Sequence, residues 1–130
     1  MIDKIAWLHV VDGRVLAAVS AGKSTWYLPG GKREPGESDT ETLVREIREE
    51  LSVSLDPASL RPAGVWEAPA DGRADGTVVR MTCYTATYSG TLAASSEIAS
   101  FAWLAYADRP RVSAAVQLIF DDLRARSLLS

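Results

Sequence analysis

The chain is poor in cysteine: Cys83 stands alone among 130 residues. One thiol cannot close an intramolecular disulfide, so the fold must rest on its core, and nothing points to an oxidising compartment. Long hydrophobic runs are missing as well, since no stretch of about 18 apolar residues is present to cross a membrane. An excess of positive charge is also missing. Fourteen Lys and Arg against seventeen Asp and Glu leave a net charge of -3, which argues against polymeric nucleic acid as a partner, because phosphate backbones call for a basic surface. There is no internal repeat, low-complexity tract or Pro/Ser-rich linker, and Met1 to Trp7 lacks the pattern of a secretory leader. What is present, 47% hydrophobic and 24% charged residues, is the balance of an ordinary globular domain. The expectation is a single cytoplasmic domain over residues 1–130, a monomer or homodimer acting on a small molecule, with no membrane partner.

Local signals order the elements. Lys4 to Val11 and Arg14 to Ser20 read as paired strands, because Asp12-Gly13 supplies the positive φ angles of a two-residue hairpin turn. Thr25 to Leu28 is strand-like and runs into Pro29-Gly30-Gly31, which reads as loop. Ser38 to Leu51 is the first helix, opened by a capping box from Ser38 to Glu41. The period then changes to two over Leu60 to Ala68 and Thr77 to Tyr88, joined by the loop Pro69 to Gly76. Phe101 to Tyr106 is a further strand. A last helix is expected to begin near Pro110, with Val112, Ala115, Val116, Ile119, Phe120 and Leu123 forming one apolar stripe. Strands, helix, strands, helix imply an α+β fold, an α/β/α sandwich with a mixed β-sheet between two helices.

The first helix carries the chemistry. At about 100° per residue, Glu46, Glu49 and Glu50 fall at relative angles of about 0°, 300° and 40°. Three carboxylates therefore share one face, beside the apolar face of Leu43, Val44, Ile47 and Leu51. Like charges at this spacing cost a helix about 0.2 to 0.5 kcal/mol per pair, and anions in its last turn oppose the macrodipole. Spacing alone leaves two readings open: a solvated acidic face relieved by Arg45 and Arg48, or a functional site that breaks local rules. Oxygen donors without His or Cys beside them suit Mg²⁺ or Mn²⁺ rather than zinc. The glycine-rich loop before the helix, with Lys32 and Arg33, adds backbone groups and positive charge suited to a phosphate.

Gly31, five residues, Glu37, seven residues, then Arg45-Glu46-Ile47-Arg48-Glu49-Glu50-Leu51-Ser52-Val53 resembles the Nudix box. Every fixed position of that signature is met except its last glycine, which is Ser52. The opening hairpin, Trp26-Tyr27-Leu28-Pro29-Gly30-Gly31 and the closing helix are similar to the family's fold. The resemblance implies a Nudix fold and a metal-dependent hydrolase that cleaves a nucleoside diphosphate linked to another group. It implies Mg²⁺ or Mn²⁺ held by Glu46, Glu49, Glu50 and the Gly30 carbonyl, with Glu46 as a ligand or base. Glu37 would brace Arg45 behind them. Ser52 leaves the helix exit open to question rather than the ligands, because a left-handed serine costs about 1 kcal/mol against glycine.

The family often adds a carboxylate from outside the box. Glu97 is the candidate, in the polar loop before the strand at Phe101, with Glu67, Asp71 and Asp75 as alternatives and an exposed loop glutamate as the plain reading. Lys32, Arg33 and Trp66 are candidate substrate contacts, Trp66 by stacking on a base. Trp7, Trp26, Trp103, His9 and Cys83 read as core residues. The short chain is similar to members acting on (d)NTPs or modified nucleotides. Pro69, sixteen residues after Val53, resembles a marker of ADP-ribose-cleaving members, which keeps an ADP-ribose or nucleotide-sugar pyrophosphatase as the alternative. A non-catalytic nucleotide sensor is a second alternative. All the expected ligands are oxygen, so hydrolysis should vanish in EDTA and return with Mg²⁺ or Mn²⁺; turnover that survives thorough chelation overturns the metal reading.

Overall fold

Alternation along the first strand sorts the protein into two faces. In the computed structural model, which describes residues Met1–Ser130, β1 (Ile2–Trp7) turns Ile5 and Trp7 to one side and Ala6 to the other. The chain continues through β2 (Val10–Val11), β3 (Arg14–Ser20), β4 (Gly30–Gly31), α1 (Asp39–Leu51), β5 (Ser54–Leu55), β6 (Arg61–Pro69), β7 (Val78–Thr85), β8 (Tyr88–Ser89), β9 (Ile98–Leu104) and α2 (Ala114–Ala125). One sheet has the order β4-β1-β7-β6, a second β2-β3-β9, and β5 and β8 form a two-stranded pair. Only β1 and β7 run parallel, so the first sheet is mixed.

Each helix covers one face. Leu43, Ile47 and Leu51 of α1 bury against Ile5, Trp7 and Leu16. Val116, Ile119, Phe120 and Leu123 of α2 bury against Ala6, Val15, Ala17, Met81 and Cys83. This is the α/β/α sandwich expected from the order of elements. No helix is long and apolar enough to cross a membrane.

Several boundaries differ from expectation. The strand expected over Lys4 to Val11 breaks after Trp7, because β1 and β2 belong to different sheets. Trp7 and Leu8 donate to Pro29 and Tyr84 at the crossing. Pro29-Gly30-Gly31 is not wholly loop: Gly30 and Gly31 pair with Ala6 and Ile5. A side chain at Gly30, whose φ is 149°, would place its Cβ 2.0 Å from the Ile5 carbonyl oxygen, so the absence of one permits the pairing. Trp26 and Tyr27 make isolated bridges to Val112 and Ala18 rather than a strand. The strand expected at Phe101 to Tyr106 is β9, which starts earlier at Ile98, and the long strand ending at Tyr88 stops at Thr85. The last helix starts at Ala114 rather than near Pro110, which sits in a 3-10 turn over Tyr106–Arg111. The Ser113 hydroxyl accepts from the Val116 amide and marks the true start.

Both ends of α1 are tied down. At the start, Ser38 and Glu41 form the expected capping box. At the end, Ser52 takes the left-handed conformation at φ 63° and ψ 20°, and its amide donates to the Arg48 carbonyl. Its hydroxyl donates to the Ala93 carbonyl at 3.1 Å. Serine thus fills the glycine position with a bond glycine cannot make. Ser52→Ala removes that bond and keeps the strain, whereas Ser52→Gly removes both. Urea melts should place Ser52→Gly above Ser52→Ala by about 1 kcal/mol. The reverse order would show that the strain at Ser52 is not felt.

Candidate active site

Arg45 is the hub from which the site is built. Its Nε and one terminal nitrogen donate to the two Glu37 carboxylate oxygens at 2.7 and 2.9 Å. Its other terminal nitrogen donates to Glu46 Oε1 at 2.9 Å, while the terminal nitrogen on Glu37 also donates to the Lys32 carbonyl at 3.2 Å. Glu37 also accepts from the Glu34 amide and the Thr42 hydroxyl. The Arg45 guanidinium comes first among the causes that pull the Glu37 carboxyl down to about 2. The loop before α1 is thereby bound to the helix face that carries the acids.

Glu46, Glu50 and Glu97 converge there, each offering an oxygen within 4.8 Å of the others. Gly31 permits the approach, since a Cβ on it would lie 2.5 Å from the Glu46 carboxyl carbon. Glu50 is 6% exposed and accepts from the Gly30 amide at 3.1 Å. Glu97 arrives from the loop before β9, and that loop is fastened to α1. The Ala93 and Ser95 amides donate to the Leu51 and Glu50 carbonyls at 3.0 Å each, satisfying groups a helix end leaves unpaired. Burial, then the neighbouring Glu46 and Glu97 charges, push the Glu50 carboxyl up to about 8, against the Gly30 hydrogen bond. Burial also raises Glu46, while the Ser96 hydroxyl lowers Glu97.

The other expected residues fall elsewhere. Glu49 shares the helix face but not the oxygen cluster: its side chain is 52% exposed and lies 3.7 Å from Arg45. Arg33 is occupied by Asp39 and Asp3 at 2.5 and 2.8 Å, and the exposed Lys32 contributes its carbonyl to Arg45. Trp66, paired with Met81, packs on the α2-side core rather than lining the cleft. Of the alternatives to Glu97, Glu67 pairs with Arg80 and Asp75 caps Thr77, whereas Asp71 lines the cleft. Trp7 is fully buried with His9 stacked on it at 4.4 Å. Burial pushes the Cys83 thiol up to about 12, so it stays protonated.

Beside the acids opens a cleft of about 570 Å³. Gly30, Gly31, Glu50 and Glu97 lie along it together with Lys4, Tyr27 and Asp71. Lys4 and Tyr27 were not singled out from the sequence. The signal for Lys4 was its position between Ile2 and Ala6 on one face of a strand.

Comparison with known proteins gives the same picture. A family model described as NUDIX domain matches residues 5–120. The CTP pyrophosphohydrolase of Escherichia coli strain K12 is 42% identical over 57 residues, 41% of this chain and 42% of that protein. A MutT-like protein of Streptomyces ambofaciens is 31% identical over 93 residues, 72% of this chain and 56% of that protein. The matched region thus spans about half or less of these relatives. Among solved structures, the E. coli ORF135 protein superposes with a TM-score of 0.74 at 26% identity, covering 97% of this chain and 92% of that one. A MutT NUDIX hydrolase from Burkholderia pseudomallei gives 0.76 at 24% identity, covering 92% and 95%, and supports the fold alone.

The crowding of acids has a pH signature in the metal-free protein. The folded Glu50 carboxyl, at about 8, lies above its ordinary value of 4.5. Between those values the native state binds more protons than the unfolded one, so this group's contribution to stability falls as pH rises and is most unfavourable above about 8. In EDTA, Glu50→Gln should therefore be more stable than the unchanged protein at pH 8.5, on the order of a few kcal/mol, with the gap closing toward pH 5. Denaturant melts at the two pH values check this. A variant less stable at both would show that Glu50 is structural.

Proposed function

The chain belongs to the NUDIX family, and from that premise we propose that it is a pyrophosphohydrolase of nucleotides, acting on a (d)NTP or modified nucleotide with Mg²⁺ or Mn²⁺. The observation that carries the reading is the meeting of Glu46, Glu50 and Glu97, two of which, Glu50 and Glu97, line the cleft. The donor set fits a hard divalent cation: it is all oxygen, and Glu50 is buried beside two further carboxylates with no cationic partner at hydrogen-bond distance. Glu46, Glu50 and Glu97 would hold the ion, with Glu49 and the Gly30 carbonyl as further ligands by family resemblance. When bound, the ion supplies Lewis acidity, which acidifies water and neutralises charge on the diphosphate.

The chain's own groups do the rest. Arg45, held by Glu37, fixes the Glu46 carboxylate and the Lys32 carbonyl, so the approach to the acids is preorganised rather than assembled on binding. Glu97 is exposed and ionised at neutral pH, and it enters from a different element than Glu46 and Glu50. These features support Glu97 as the group that accepts a proton from the attacking water, the alternative to its role as a ligand. The names of the relatives, CTP pyrophosphohydrolase among them, support a nucleotide as the substrate, and a cytoplasmic site of action is proposed with it.

A panel of NTPs, dNTPs, 8-oxo-dGTP, ADP-ribose, dinucleoside polyphosphates and sugar nucleotides, each with Mg²⁺ and with Mn²⁺, tests this reading. Hydrolysis of a triphosphate to a monophosphate and pyrophosphate is expected, and Glu97→Gln should lower its kcat about 10²-fold while nucleotide binding changes little. Binding without turnover on every compound would make the protein a sensor, and preferred cleavage of ADP-ribose would replace the substrate class.

A further inference from the structure

Lys4 is a charge set in an apolar stripe. Its neighbours on the same face of β1, Ile2 and Ala6, pack into the α2-side core, and its partner across the parallel pair is Met81, a core residue. An aliphatic side chain would be cheaper here, because a half-buried ammonium must give up water. Nothing in the protein repays that loss in full. Nζ lies 5.0 Å from the centroid of the Tyr27 ring, and no carboxylate comes within ion-pair distance of it. An ammonium has three donors and no acceptor, so the missing partner is an acceptor atom.

The surroundings say which kind. Lys4 opens into the cleft among Ala6, Tyr27, Leu28 and Met81, which offer flat apolar surface. The Lys32 charge acts against its ammonium, and Glu50, Asp71 and Glu46 are close enough for theirs to favour it. Asp71 repels a phosphate on this side of the cleft, and Lys4 and Lys23 set against Glu50, Asp71 and Glu97 leave the lining with no net positive charge to spend on one. A neutral acceptor avoids the repulsion and still meets the ammonium. We propose that Lys4 is a specificity-determining residue that donates to an exocyclic carbonyl of the substrate's base, so that the cleft favours oxo-bases over adenine. The base then lies at the Lys4 and Tyr27 end and the phosphates at the Glu46, Glu50 and Glu97 end. The inference rests on the nucleotide reading above and adds which base edge that site takes.

The test compares ITP and GTP with ATP, since inosine and adenine differ at the edge in question and little in size. The unchanged protein should show kcat/KM about 10-fold or more higher for ITP and GTP than for ATP, the range of one hydrogen bond to a charged group. Lys4→Met and Lys4→Gln are both made, so that one folded variant suffices. Either should bring the three substrates to within about 2-fold of one another through KM, with kcat nearly kept. Equal use of ATP by the unchanged protein overturns the proposal. So does a variant that keeps the preference, or one that loses equally on ATP, which would mark a phosphate contact. Calorimetric titration with IMP, GMP and AMP separates this from the hydrolase reading. If no nucleotide is cleaved, tighter IMP than AMP binding that disappears in the Lys4 variants still supports the carbonyl contact, and equal binding removes it.

Discussion

The two-point clasp of Arg45 on Glu37 is the interaction on which the site depends. One guanidinium meets a carboxylate from the loop, the Glu46 carboxylate and the Lys32 carbonyl at once. Its planar fork suits this task in a way a lysine ammonium does not. Without it, the loop from Gly30 to Ser38 would be held against α1 by the capping box, the Arg33–Asp39 pair, the Thr42 hydroxyl on Glu37 and the Gly30 amide on Glu50. Glu46 would then face Glu50 and Glu97 with no cation between them and the solvent. The clasp lets a helix carry several acids on one face, a pattern its local rules disfavour.

What could be read in advance was what short-range chemistry dictates. The capping box and the acidic face of α1 depend on residues within a turn or two of each other and stand where the spacing implied, while the exit at Ser52, left open by the missing glycine, proves left-handed. The α2 stripe of Ala115, Val116, Ile119, Phe120 and Leu123 is buried for the same reason, although the helix begins later than Pro110 suggested. Pro110 fits the first turn of either kind of helix, and only the Ser113 cap tells them apart.

The misjudged parts depend on partners far along the chain. Gly30 and Gly31 have poor strand propensity and become a strand because β1 lies alongside. The split between β1 and β2 follows from the parallel pairing of β1 with β7, for which no nearby residue gives a sign. Glu97 was found from its place in a polar loop, but that it meets Glu46 and Glu50 is a property of loop 93–95 bonding to the end of α1. Lys4 looked like an ordinary strand residue until Met81 and Tyr27 were brought beside it.

That bonding of loop 93–95 to α1 separates two parts of the cleft. The Ala93 and Ser95 amides fasten the backbone leading to Glu97 to the helix that carries Glu46 and Glu50, so the spacing of these carboxylates is set within one bonded unit. Asp71 belongs instead to the hairpin tip between β6 and β7, whose residues are mostly exposed. The tip lines the far end of the cleft through Asp71 and Gly72 and makes none of the bonds that set the carboxylate spacing. Substitutions in the tip therefore reshape one end of the cleft, and substitutions in the helix and its cap alter the carboxylate spacing at the other.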